Sequence, residues 1–180
     1  KIIAVHYSHS KGCCWARNKL QQLYDNEEYT LQLDSHHRFV KRWDTILKEI
    51  YIDLQKKGNK KPIITTYPPS YFPETDPIGR ETKPNKLSFK SINENFQVES
   101  YPVPINDYLS LDGPIPSQFY AAGFAFTSGD FVLEVPHDPN LYFKGEEMNI
   151  AIRAYTKGYV FFNPHIIIVW HYYTRKKELK

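Results

Sequence analysis

The sequence is short of the residues that staple a fold, span a membrane or carry a large charge. Only two of its 180 residues are cysteine, and they are neighbours, Cys13 and Cys14. Adjacent cysteines rarely meet disulfide geometry with each other. A disulfide framework is therefore excluded, and with it the small secreted scaffolds that depend on one. No apolar run approaches the ~20 residues of a spanning helix; the longest is residues 166–170. Charge of one sign is also scarce. Lys and Arg number 23 against 20 Asp and Glu, a net charge of +3, and the cations are scattered, which argues against a nucleic-acid partner. The stretch Lys56-Lys57-Gly58-Asn59-Lys60-Lys61 reads as a solvated helix end. Methionine occurs once, at Met148, and the chain opens at Lys1 directly on an apolar run. Residues 2–7 read as a buried strand, so a preceding part of the domain is expected.

What is present fits a folded α/β protein of one domain, residues 1–180. The hydrophobic fraction of 41% can fill a core, and 14 Tyr, 11 Phe and 13 Pro point to ordered, aromatic-rich loops. Residues 14–24 read as a helix and Tyr29–Leu33 as a strand. Phe39, Trp43, Ile46, Leu47, Ile50 and Leu54 fall at helical spacing, predicting a helix over residues 38–56 that Gly58 stops. Residues 62–66 form the next strand. This strand–helix alternation argues for an α/β sheet. Residues 67–85 carry five prolines and read as a long loop, a feature usually functional in compact domains. Strands are expected within residues 87–98, 119–135, 159–162 and 166–170, and a helix over residues 146–157.

The most informative stretch is Asp34-Ser35-His36, at the end of the apolar strand. Alternation in a strand lets Asp34 and His36 leave on one face. A hard oxygen beside an imidazole nitrogen can hold a divalent ion, and strand ends in α/β sheets are where ligands bind. The same Asp could equally cap the helix that follows. His171 comes directly after residues 166–170 and reads either as a core histidine or as a group facing the same cleft. Glu146 and Glu147 open a helix, where carboxylates also suit the helix dipole. Ala122 and Gly123 offer close packing or a floor for a ligand.

Taken in order, Cys14-Trp15-Ala16-Arg17, the strand ending Asp34-Ser35-His36-His37-Arg38-Phe39, Trp43-Asp44, Tyr67-Pro68, Ala121-Ala122-Gly123-Phe124, Val135-Pro136-His137-Asp138-Pro139, Gly145-Glu146-Glu147 and His171-Tyr172-Tyr173 with Arg175 form a specific set. This set resembles the glycosyltransferase family of the cytoplasmic hydroxyproline N-acetylglucosaminyltransferase, itself similar to the polypeptide N-acetylgalactosaminyltransferases. The resemblance covers about residues 13–175. It implies a GT-A-type fold, a mixed sheet flanked by helices, a UDP-sugar donor, a protein acceptor and a Mn²⁺ ion. It assigns Asp34, His36 and His171 to the metal, Arg17 and Asp34 to the donor diphosphate, Ala122 and Gly123 to the donor sugar, and Glu146 with its neighbour Glu147 to catalysis. Two His and one acid suit Mn²⁺ better than all-oxygen Ca²⁺ or Mg²⁺ sites. They also suit zinc; the resemblance decides for manganese. The strand–helix unit that would hold the nucleoside in this fold is missing from the expected order. Two other readings remain open, a metal-dependent hydrolase with the same ligands and a non-catalytic binding module. Absent disulfides and the resemblance imply a cytoplasmic protein, or a Golgi-luminal one if an anchor precedes Lys1.

Overall fold

A computed structural model of the protein describes residues 2–94 and 96–173. Arg175, the last residue of the motif set, lies outside them. A five-stranded mixed sheet forms the centre, in the order β1 (Tyr29–Leu33), β7 (Phe124–Ser128), β3 (Pro62–Thr65), β8 (Val160–Asn163), β6 (Ile115–Ser117). Strands β3 and β8 run parallel; the other pairings are antiparallel. Two short ribbons complete the β-structure, β2 (His37–Phe39) with β9 (Val169–His171), and β4 (Asn85–Ile92) with β5 (Val98–Pro104).

Strand alternation sorts the core into two layers. Ile64, Phe124, Phe126 and Phe162 face one side and meet Leu47, Ile50, Tyr51 and Leu54 of helix α2 (Trp43–Lys56). Ile63, Ala125 and Phe161 face the other and meet Phe131 of α3 (Phe131–Glu134) and Ile150 and Ala154 of α4 (Glu146–Thr156). The central strands are buried on both faces, as a sheet covered by helices on both sides requires. The expected mixed sheet flanked by helices is what the chain forms.

Buried side chains fasten the loops above the sheet. Asn163 is 1% exposed; its Nδ2 donates to the Thr65 carbonyl at 2.6 Å and its Oδ1 accepts from the Leu87 N–H at 3.0 Å. This pair of bonds ties the β4–β5 ribbon to the sheet. Thr66 Oγ1 adds a bond to the Asn85 carbonyl at 2.8 Å.

Four expectations are corrected. Residues 2–6 are not a strand, and Ile2 is 94% exposed. Among the described residues no strand forms a ladder with them, and an apolar run without a ladder partner gains nothing from being extended. The helix expected from residue 38 begins at Trp43, because residues 37–39 pair with Val169–His171 and Arg42 takes a left-handed conformation (φ 61°) that interrupts any helix there. Phe39 falls in helical phase because its ring contacts that of Trp43, with centroids 4.7 Å apart. The expected strand at residues 166–170 shifts to Val169–His171. Residues 119–135 contribute one strand and the short α3.

Candidate functional site

Four elements converge at one end of the sheet. Helix α1 (Cys13–Gln21) presents Arg17. Its start is fixed against the loop before α4, where the Cys13 N–H donates to the Tyr142 carbonyl at 3.1 Å. Gly12 sits there with φ 101°, and a Cβ on it would stand 2.5 Å from that carbonyl oxygen, so only glycine fits. Asn18 Nδ2 donates to the His137 carbonyl at 2.7 Å. Strand β1 delivers Asp34, whose N–H extends the ladder to the Gly123 carbonyl at 3.2 Å. Ribbon β2–β9 sets His37 opposite His171. His171 is 9% exposed, donates its N–H to the Pro69 carbonyl at 3.0 Å and accepts from the Tyr71 N–H at 3.2 Å. Helix α4 opens after Gly145 with Glu146 and Glu147.

These groups line one open cleft of about 480 Å³. Arg17, Asp34, Ala122, Gly123, Glu146, Glu147 and His171, all selected from the sequence, form its walls; His36 is not among the lining residues. The β4–β5 ribbon closes the far side with Lys90, Gln97 and Glu99. Gln97 lies over α4's first turn, where a Cβ on Gly145 would stand 3.1 Å from its Nε2.

The charged groups form a chain. Arg17 Nη2 meets Asp34 Oδ1 at 3.1 Å, and Arg17 Nη1 stands 3.7 Å from Glu146 Oε1. Asp34 Oδ2 lies 4.0 Å from His171 Nε2. A Cβ on Gly123 would approach Asp34 Oδ2 to 3.2 Å, so the small residue keeps the carboxylate in place. Burial pushes the Glu146 carboxyl above the usual range, opposed by Arg17 and aided by Asp34.

Glu147 plays a different part from its neighbour. Its Oε1 accepts the Ala122 N–H at 2.8 Å and its Oε2 accepts the Tyr67 hydroxyl. Burial raises its pKa while these donors lower it. Burial and the carboxylate raise that of Tyr67. Both oxygens of Glu147 are thus committed to holding α4 on the cleft floor. Tyr67 carried no assigned role in the sequence reading. Its position just past β3, at a strand end, was the signal available.

Two members of the predicted donor set, Asp34 and His171, are spaced to share a divalent ion. Two ligands of one ion, each ~2.1 Å from it, stand up to about 4 Å apart, and the Asp34–His171 separation of 4.0 Å fits that span. A carboxylate with an imidazole also suits a borderline divalent metal. The third expected ligand is farther out. The His36 ring centroid is 6.2 Å from that of His171, and its Nε2 faces Ser35 Oγ at 3.0 Å. Among the described residues no three His, Cys, Asp or Glu side chains stand together as an ion-holding group. The pair fits; the triad is not assembled in this arrangement.

Cys14 is no nucleophile here, since burial, with the Cys13 thiol beside it, pushes its pKa up to about 12. His137, behind α1, is 2% exposed, and burial reinforced by Arg17 and Arg153 pulls it down to about 4. It folds neutral, so its contribution is present above pH ~6.5 and lost as pH falls through about 4. The shift corresponds to roughly 3 kcal/mol. We expect denaturant unfolding to show a smaller stability loss between pH 7 and pH 4 for His137→Gln than for the parent protein, by about that amount.

Fold and cleft together define an α/β domain with a charged cleft at its strand ends. Among the described residues no helix is long and apolar enough to cross a membrane. The chain belongs to the N-acetylglucosamine glycosyltransferase family, whose model, described as Glycosyltransferase (GlcNAc), matches residues 1–180. No curated protein matches it at a significant level.

Proposed function

We propose that this chain moves N-acetylglucosamine from a UDP-sugar to a protein hydroxyl with the help of Mn²⁺. The observation that supports this most is the cleft itself, which gathers Arg17, Asp34, Ala122, Gly123, Glu146 and His171 from five separate segments of the chain. Membership of the glycosyltransferase family makes sugar transfer the class of chemistry. We also read the fold as GT-A type, one domain over residues 1–180, and the acceptor as a protein such as a hydroxyproline-bearing one. Two free cysteines at positions 13 and 14 support a reducing, cytoplasmic setting.

Each residue has a task in this reading. Asp34 and His171 would hold the ion, with His36 joining by a side-chain rotation. The ion would supply charge neutralisation for the departing diphosphate. Arg17 would pair with phosphate oxygens through its planar fork. Ala122 and Gly123 leave room for the sugar ring against the sheet end, their backbone fixed by Glu147 and Asp34. Glu146, partly desolvated, faces the cleft to bind a hydroxyl of sugar or acceptor.

The test is incubation of the protein with UDP-N-acetylglucosamine, Mn²⁺ and an acceptor protein, read by intact mass. Addition of one N-acetylhexosamine is expected. Sugar release only to water would turn the reading to a hydrolase. Absence of both donor binding and turnover would turn it to a binding module.

A further inference from the structure

We infer that Arg17 competes with the divalent ion for Asp34, and so makes ion binding depend on an anion entering the cleft. This rests on the metal-dependent reading above and says how that site is regulated. Asp34 is the shared member of two contacts. One oxygen meets the Arg17 guanidinium at 3.1 Å and the other faces His171 at 4.0 Å. An ion taken up by Asp34 and His171 would therefore share its carboxylate with a fixed positive charge. Two cations on one carboxylate repel, and each weakens the other's hold. Arg17 is poorly hydrated, with its side chain 11% exposed, so water screens that repulsion incompletely.

The same side chain holds capacity in reserve for an anion. Its Nη1 is buried and makes no hydrogen bond, standing 3.7 Å from Glu146. A buried guanidinium N–H without a hydrogen-bonded acceptor is costly, and a diphosphate oxygen would relieve it with a charge-assisted bond. With a diphosphate present, Arg17 pairs with the anion and ceases to oppose the ion. Without one, it holds Asp34 itself. The consequence is an ion that binds weakly alone and tightly with the donor, which keeps a free ion from occupying the cleft unproductively.

The sign of this effect makes it testable, because damage to the site cannot imitate it. Mn²⁺ alone, without nucleotide, is titrated by electron paramagnetic resonance into the parent protein, Arg17→Met and Asp34→Ala. Arg17→Met is expected to bind Mn²⁺ tighter than the parent, on the order of three- to tenfold, the scale of losing a partly exposed charge-assisted pair. Asp34→Ala should lose that binding, which places the ion at this carboxylate. The double variant Arg17→Met/Glu146→Gln must keep the tightening. Its loss there would assign the gain to a released Glu146 and overturn the inference, as would equal or weaker binding by Arg17→Met. On adding UDP, the parent should gain more Mn²⁺ affinity than Arg17→Met; an equal gain also overturns the coupling. If neither protein binds Mn²⁺ yet the parent transfers sugar without added metal, the metal-dependent reading itself fails, a result distinct from failure of the competition.

Discussion

Asp34→Ala is expected to lower sugar transfer by about a hundred- to a thousandfold, the scale of losing a group that stabilises transition-state charge, while leaving the fold intact. Three observations set that expectation. The carboxylate bonds Arg17, faces His171 and occupies space that a Cβ on Gly123 would crowd, at 3.2 Å from Oδ2. In the proposed mechanism its loss removes an ion ligand, and it frees Arg17 to swing toward Glu146, so this end of the cleft loses its arrangement as well as its charge. Stability should be spared for a separate reason. The side chain is 45% exposed, and the strand ladder uses the Asp34 N–H rather than the carboxylate. Initial rates at saturating donor, alongside a thermal melt, check both halves. A variant with near-parental rates would remove Asp34 from the mechanism. A variant that melts many degrees lower would make it a structural residue.

Phe124→Ala is expected to cost about 3–5 kcal/mol, the usual range for emptying a buried aromatic site. Phe124 is fully buried on the central strand β7 and packs in the layer against α2 with Ile64, Phe126 and Leu47. Its backbone also carries the loops that shape the cleft. Its carbonyl accepts Thr65 Oγ1 at 2.8 Å and the Thr66 N–H at 3.4 Å. The ring therefore anchors the segment that begins with Ala122 and Gly123. For a chain of this length the change should lower the melting temperature by about 10 °C and loosen donor binding with it. Leu109→Ala, at a site 86% exposed, is the control and should stay within about 0.5 kcal/mol. Calorimetry of the two variants decides the matter; a Phe124→Ala melt matching that of Leu109→Ala would show that the layer collapses around the gap.

Much of this was legible in the chain because the physics is local. Strand β1, helix α2 past Trp43, strand β3 and helix α4 announce themselves by apolar period, and each lies where that period places it. Tyr29–Leu33 runs straight into Asp34, so the position of the carboxylate at a strand end followed from alternation alone. The misreadings are equally local in cause. Phe39 sits in helical phase with Trp43, and nothing in residues 37–39 reveals a strand partner 130 to 134 positions away at Val169–His171. The same long-range pairing makes His171 a wall of the cleft. In isolation a histidine after an apolar run is as good a core residue as a ligand.

The division between the two acid neighbours in α4 shows the limit most clearly. Sequence presents Glu146 and Glu147 as equivalents at a helix start. Their separation comes from the 100° turn between successive helical side chains, which aims one at Arg17 and the other at Tyr67 and the Ala122 amide. By itself the sequence determined an α/β chain without disulfides, the strand that ends in Asp34, and most of the residues that line the cleft. Only the tertiary structure decided that Arg17 grips Asp34, that Glu147 bonds Tyr67 and the Ala122 amide, and that His36 is not among the residues lining the cleft. Propensity and periodicity act over a few residues, whereas these contacts join positions 17 to 147 along the chain through the register of a mixed sheet.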